Sequence, residues 1–318
     1  MAFKPIARGP VTSRRFSKSI VIINCPESVC TYSCIYCHGG PTVQLTYERT
    51  EFFNPLEMVK AVRLALAKSK ESRDSFDYIT YIPDGEPTQD INLGKELELL
   101  KQFEIKLGVM TNSSLLWRDD VRAELMLADS VSIKLDTLDE KLWLKTHRPH
   151  KNSRFSTIVE GIIDFAEVYK GRLLTETMLV HNHNDSIEHA ELIGAFLKKM
   201  NPAMSYISVP TYPPTESWVK PPDEATLNKF FQTVSAKQPK LEYLIGYETI
   251  EPAITKNAHH EILSLASTHP VRKSKVNEIL SRTNADKDLV KKMIENHELV
   301  ETSFEGDKYY VRKYKMFM

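Results

Sequence analysis

The chain has 318 residues, of which 42% are hydrophobic and 26% charged, with 42 acidic side chains against 42 basic ones. That composition excludes a disordered chain and a small disulfide-stapled domain, and zero net charge excludes a global pull toward nucleic acid or anionic membrane. No apolar run reaches membrane-spanning length, and the start MAFKPIARGP lacks the apolar stretch of a signal peptide. A cytoplasmic protein with no membrane partner is therefore expected, in a compartment where clustered thiols bind metal more often than they form disulfides.

In chain order, SIVIIN (19–24) predicts a buried strand. NPLEMVKAVRLALAKSK (54–70) predicts a helix with Asn54 as N-cap and Pro55 at its first position. Further strands are expected at 76–82, 105–111, 130–136, 173–180 and 205–209. Helical stretches around 92–103, 118–127, 155–169, 186–199 and 223–234 fall between or after them. A strand-then-helix unit repeated about six times implies an α/β fold of parallel strands with helical crossovers, an open or closed βα barrel. Chemistry in barrels sits at the carboxyl ends of the strands. Polar segments stand at those ends here: PDGEPT, TNSS, Asp136, HNHND and PTYPP.

Beyond about residue 250 the pattern changes. Helical patterns at 259–268, 274–283 and 286–298 precede two strands, LVETSF and KYYVRKY, joined by EGD. Three short helices and a hairpin are the order of a winged helix, so 1–240 is read as the barrel and 250–318 as a winged-helix-like domain. From 251 to 318, twelve Lys/Arg face ten Asp/Glu. A nucleic-acid reader usually carries a stronger basic face, so docking to protein or to the barrel is an equal reading.

All four cysteines lie within residues 25–37. Cys30, Cys34 and Cys37 form C-x₃-C-x₂-C, a spacing that lets the side chains converge on one metal centre. A structural zinc wants four closed ligands, usually from two separated pairs, and a ferredoxin-type cluster takes four thiolates at another spacing. Three thiolates on a [4Fe–4S] cluster would leave one iron open for chemistry. Cys25 is read as an inert buried thiol, with a closing fourth ligand or a substrate-directed thiol as alternatives.

The triplet, with Tyr36 before its last cysteine, GEP after the second strand and TN after the third, resembles the radical S-adenosylmethionine (radical SAM) superfamily. With GPVTSRR, DGEPT, TNSSLLWRDDVR, KLD, RPH, MLVHNHNDS and TYPPTESWVKPP, residues 8–235 resemble a prokaryotic family related to the wyosine-base synthases of tRNA. The resemblance implies a partial (β/α)6 barrel holding a [4Fe–4S] cluster on Cys30, Cys34 and Cys37, with SAM on the open iron. It implies SAM contacts from Gly85 and Glu86 to the ammonium, from Thr111, Asn112, Lys134 and Asp136 to carboxylate or ribose, and from Tyr36 beside adenine. Asp84 is a ligand or a turn residue, and Glu176 a SAM contact or a buried paired charge. It further implies an electron donor of flavodoxin or ferredoxin type, and a tRNA nucleoside or a peptide as substrate. One upstream cysteine is too few for the second cluster of the wyosine synthases themselves. A non-catalytic iron–sulfur or zinc regulator that reads DNA through the wing is the competing class. His38, the Ser13–Arg14–Arg15 run and THRPH (146–150) are read first as polar surface, with cluster tuning or substrate anion binding as their functional alternatives.

Overall fold

A computed structural model of the chain describes residues 7–26, 29–72, 75–82, 85–245, 257–266, 269–286 and 288–312. The chain opens with a hairpin, β1 (Ala7–Ser13) antiparallel to β2 (Ser17–Ile22), followed by the short parallel pair β3 (Val29–Cys30) and β4 (Gln44–Leu45). There follow α1 (Pro55–Ser72), β5 (Tyr78–Tyr81), a 3₁₀ turn at Pro87–Gln89, α2 (Leu93–Leu100), β6 (Lys106–Thr111) and α3 (Asp119–Leu125). Next come β7 (Ser130–Lys134), α4 (Glu140–His147), α5 (Phe155–Val168), β8 (Arg172–Met178) and α6 (Ile187–Met200). The first unit closes with β9 (Met204–Ser208), α7 (Glu224–Ser235) and β10 (Leu241–Leu244).

Sheet order is β1-β2-β5-β6-β7-β8-β9-β10, parallel from β2 to β10, so each crossover sets the next strand one place further along. The first and last strands do not pair, and the barrel is partial. The six expected strands are β2 and β5 to β9. Two edge strands and α4 were not legible. β1 carries Gly9–Pro10, which reads as a turn but is accommodated by a register shift between Arg8 and Val11 on an edge strand. β10 spans four residues and α4 eight, too short for a periodic signal. Asn54 caps α1 as expected, its Oδ1 accepting from Leu56 N at 2.9 Å.

Alternation along the strands separates two cores. Ile20, Ile22, Ile79, Leu107, Val109, Val131 and Ile133 pack outward against the helices. Phe16, Tyr78, Leu174 and Tyr206 fill the floor of the barrel. Gly108 makes room there, since a Cβ at that position would lie 2.6 Å from the Phe16 ring. Polar side chains of β7, β8 and β9 stand above this floor, toward the carboxyl ends.

The second unit consists of α8 (Ala258–Ala266), β11 (Val271–Arg272), α9 (Lys273–Thr283), α10 (Leu289–Glu295), β12 (Leu299–Phe304) and β13 (Asp307–Arg312). Its sheet is antiparallel in the order β11-β13-β12, around a separate core that includes Ile262, Ile279, Met293 and Leu299. Glu305 and Gly306 both have positive φ, which closes the expected hairpin with a two-residue turn. The expected boundary near 240–250 and the tail beyond 312 fall largely outside the described residues. Among the described residues no helix is long and apolar enough to cross a membrane.

One buried acid departs from the rule that buried charges are paired. Glu96, in the first turn of α2, is 0% exposed, and neither carboxylate oxygen makes a well-formed hydrogen bond, although Tyr81 and Asn24 face it. Burial, helped by Asp90, pushes this carboxyl up to about 9. The folded value lies above the ordinary 4.5, so this group's stability contribution is complete below pH 4.5 and is lost as pH rises through 9. Glu96→Gln, neutral at every pH, is expected to raise the urea midpoint by more at pH 8 than at pH 5. An equal shift at both pH values would contradict the assignment.

Candidate active site

The cysteine loop is held by backbone hydrogen bonds on two sides. Ser33 N donates to His147 O at 2.8 Å and Ile35 N to Thr146 O at 2.9 Å, while His150 N donates to Thr31 O at 3.0 Å. The last carbonyls of a helix lack intrahelical partners, and α4 offers its own to the loop. α4 ends there because Arg148 turns left-handed (φ 44°) and Pro149 follows. On the other side, Thr215 Oγ1 donates to Cys37 O at 2.8 Å and Glu216 N to Ile35 O at 3.0 Å. The proline-rich segment after β9 thus straps the loop, with Val219 packed on Ile35 and Val180.

Gly85 supports the loop from the neighbouring strand end. A Cβ there would lie 2.0 Å from Val29 O and 3.1 Å from Cys25 Sγ, so only glycine admits this backbone approach. Cys25 is buried beside that contact. Asp84 lies outside the described residues.

None of the four cysteines forms a disulfide. Burial pushes the Cys30 thiol up to about 12, with Glu86 and Cys37 adding to it. Cys34 is driven well above the usual thiol range, first by burial and then by the facing Cys30 and Cys37. Half-buried thiols whose thiolate charges would repel one another ionise together beside a strong positive charge, which a metal centre supplies. Two donors already face these sulfurs, which stand in for the thiolate ligands: Asn112 Nδ2 lies 3.4 Å from Cys30 Sγ, and His147 Nδ1 3.3 Å from Cys34 Sγ. The triplet fits a three-thiolate iron–sulfur cluster.

The other expected site residues surround this loop. Glu86, fully buried, accepts from Thr111 Oγ1 (2.6 Å), Thr88 Oγ1 (2.6 Å), Thr88 N (3.1 Å) and Asn112 N (2.7 Å). Its carboxylate therefore staples the GEP turn to the end of β6. Burial raises its carboxyl, and the four donors hold it back. Asn112 also donates to Thr31 Oγ1 at 2.9 Å, tying TNSS to the cysteine loop.

Lys134 Nζ lies 3.3 Å from Asp136 Oδ1 and 3.2 Å from Glu176 Oε1, and 5.1 Å from the centre of the Tyr36 ring. Tyr36 Oη donates to Asp136 Oδ2, and Arg15 pairs with Glu176. Burial opposes the Lys134 charge, but Asp136 and Glu176 outweigh it and hold the ammonium up. Burial likewise opposes the Glu176 charge, yet Lys134 and Arg15 bring its carboxyl down to about 2. Arg15 is thus a buried barrel residue, and not the solvated one its SRR setting suggested. Arg14 caps Tyr243 O at 2.6 Å, and Ser13 Oγ accepts from Phe16 N at 3.0 Å.

His147, expected within THRPH (146–150) as polar surface, is instead part of the site. It is buried between Cys34 and Asp136, its Nε2 3.6 Å from Asp136 Oδ2. Burial brings its imidazole down to about 4 against the pull of Asp136. The available signal was a histidine just before Arg-Pro, where a helix must stop. His38 is exposed, its ring 5.8 Å from that of Tyr212.

Residues 27–193 match the Radical SAM superfamily. The chain belongs to that superfamily. It is 38% identical over 313 residues to UPF0026 protein MJ1312 of Methanocaldococcus jannaschii, covering 98% of this chain and 97% of that one. It is 25% identical over 196 residues to the dual-specificity RNA methyltransferase RlmN of Sulfurimonas denitrificans, covering 58% and 52%. Its fold resembles a radical SAM methyltransferase from Sphaerobacter thermophilus, with a TM-score of 0.56 at 17% identity over 71% of this chain and 66% of that one. The protein is a SAM-dependent radical enzyme whose cofactors are a [4Fe–4S] cluster and SAM.

Gly85→Ala is expected to displace the cysteine loop at Val29, costing about 2 kcal/mol or more and leaving less than half the wild-type iron after anaerobic reconstitution. Iron and sulfide analysis beside far-UV circular dichroism checks this. A folded variant with full iron would contradict the support role.

Proposed function

We propose that the enzyme abstracts a hydrogen atom from a nucleoside in RNA, with Cys30, Cys34 and Cys37 holding three irons and the strand ends binding SAM. When bound, the reduced cluster supplies one electron to the sulfonium of SAM, releasing methionine and a 5′-deoxyadenosyl radical that takes hydrogen from substrate. The observation that carries this chemistry is the set of three half-buried thiols on one short loop, two of them, Cys30 and Cys34, pushed up by burial and by their facing neighbours. Lys134 is the cation placed for the methionyl carboxylate, and Asp136 and Glu176 hold its charge at the β7 and β8 ends. Tyr36 stands over that group beside the last cysteine. Glu86, spent on its neighbours, holds the GEP backbone in place, and Thr111 and Asn112 form the adjoining wall. A flavodoxin or ferredoxin type of protein supplies the electron.

The RNA reading is supported by the likeness to RlmN, named as an RNA methyltransferase. Residues 250–318 are read as a winged-helix-like substrate module. A peptide or protein substrate is the second reading, favoured by one observation on that module. Among the described residues, Lys275, Lys292, Lys308, Arg272 and Arg282 are paired with Glu278, Asp286, Glu301, Asp307 and Glu261, which leaves fewer of them for phosphates.

Anaerobically reconstituted protein given dithionite and SAM is expected to release 5′-deoxyadenosine, and Cys34→Ala to release none. Lys134→Met is expected to weaken SAM binding at least about tenfold, or about 1.4 kcal/mol. Unchanged affinity would remove Lys134 from the site. For the substrate, nucleoside mass spectrometry of bulk tRNA and ribosomal RNA from a deletion strain is expected to lack one modified nucleoside. An unchanged profile would favour the peptide reading.

A further inference from the structure

We propose that His147 is a positioning residue for the metal centre: its Nδ1–H donates to the Cys34 thiolate and raises the reduction potential of the cluster. This rests on the reading of Cys30, Cys34 and Cys37 as ligands of a [4Fe–4S] cluster. Nδ1 is 3.3 Å from Cys34 Sγ, within reach of an N–H···S bond.

The ring has little freedom to leave that position. Its backbone belongs to the end of α4, where Thr146 O and His147 O receive the amides of Ile35 and Ser33 on either side of Cys34. Its face lies against Tyr32, with centroids 5.0 Å apart and planes at 32°, and its edge meets Tyr36 at 6.1 Å. Loop and donor are thus fixed to the same helix end.

The other ring nitrogen faces Asp136. Asp136, the group facing Nε2, already receives Tyr36 Oη, Met178 N at 2.7 Å and Lys134 Nζ at 3.3 Å. At 3.6 Å, Nε2 is beyond ordinary hydrogen-bond range of that carboxylate. A thiolate at Cys34 accepts a hydrogen bond only from a protonated Nδ1, so we place the ring proton there, where the sulfur is the acceptor. Each electron added to an iron–sulfur cluster increases charge on its sulfurs. A fixed N–H dipole in a buried site stabilises the reduced state more than the oxidised one, so hydrogen bonds to ligand sulfur raise the potential. Asn112 Nδ2, 3.4 Å from Cys30 Sγ, is a second donor of the same kind from another strand end.

The test is an EPR-monitored redox titration of the reconstituted full-length protein, with iron and sulfide counted for each variant. His147→Phe keeps a ring against Tyr32 without a donor, and His147→Asn places an amide N–H near the position of Nδ1. At a fixed poise the reduced-to-oxidised ratio is expected to fall about tenfold in His147→Phe, equivalent to ~59 mV for a one-electron couple. His147→Asn should recover most of it. A fully loaded Phe variant at the wild-type potential overturns the proposal, as does an Asn variant that falls as far as Phe. If the Phe variant does not load, the wild-type residue is probed directly. Pulsed EPR of protein carrying ring-¹⁵N histidine, in a His38→Ala background, should show a weakly coupled ¹⁵N on the reduced cluster, and its absence overturns the proposal. A wild-type protein with no four-iron signal would instead overturn the cluster reading.

Discussion

Everything at this site depends on the cysteine loop surrendering its amides to the end of a helix. A loop carrying three thiols within eight residues is anchored in the core by Tyr32 and Ile35, but those two side chains alone do not set its backbone. Its conformation comes from the unpaired carbonyls at the end of α4, from the strap after β9, and from the backbone of Gly85 pressed beneath Val29. An unsatisfied buried carbonyl or amide costs about 1–3 kcal/mol, so each partner also needs the loop where it is. Preorganised thiols spend less of the metal's binding energy on ordering the chain.

Below the loop, alternation along β7 and β8 turns ionic groups inward above an apolar floor. Arg15, Glu176, Lys134 and Asp136 form two cations and two anions in contact, so the buried set is neutral as a whole. A buried ion pair offers little net stability over an apolar filling, because both charges lose their water. What it provides is a cation and carboxylates held at fixed positions at the strand ends, where barrel chemistry occurs. Under the proposed function these groups meet a zwitterionic ligand, and His147 joins them to the sulfur of Cys34.

The fold was legible where the pattern is long and local. Six buried strands and the helices between them announce themselves through apolar runs and through signals such as Asn54–Pro55. The cysteine triplet was legible because its spacing carries chemistry on its own. Less was readable where the determinant is a contact between distant segments. β1 hides behind Gly9–Pro10, and β10 gains its place only by pairing with β9. Arg15 looks like surface charge until Glu176, 161 positions later, is seen to hold it. The use of Gly85 depends on a carbonyl of another segment, and that of His147 on a sulfur 113 positions away. Composition cannot report such contacts, since they are set by where the crossovers return the chain.

The central claim is that three thiolates hold a cluster whose remaining iron takes the amino and carboxylate groups of SAM. Electron–nuclear double resonance on the reduced protein, with SAM labelled by ¹⁵N in its amino group and ¹⁷O in its carboxylate, reads that bond directly. The account predicts hyperfine coupling from both labels, appearing only when SAM is added. A four-iron signal with no coupling from either nucleus would contradict it.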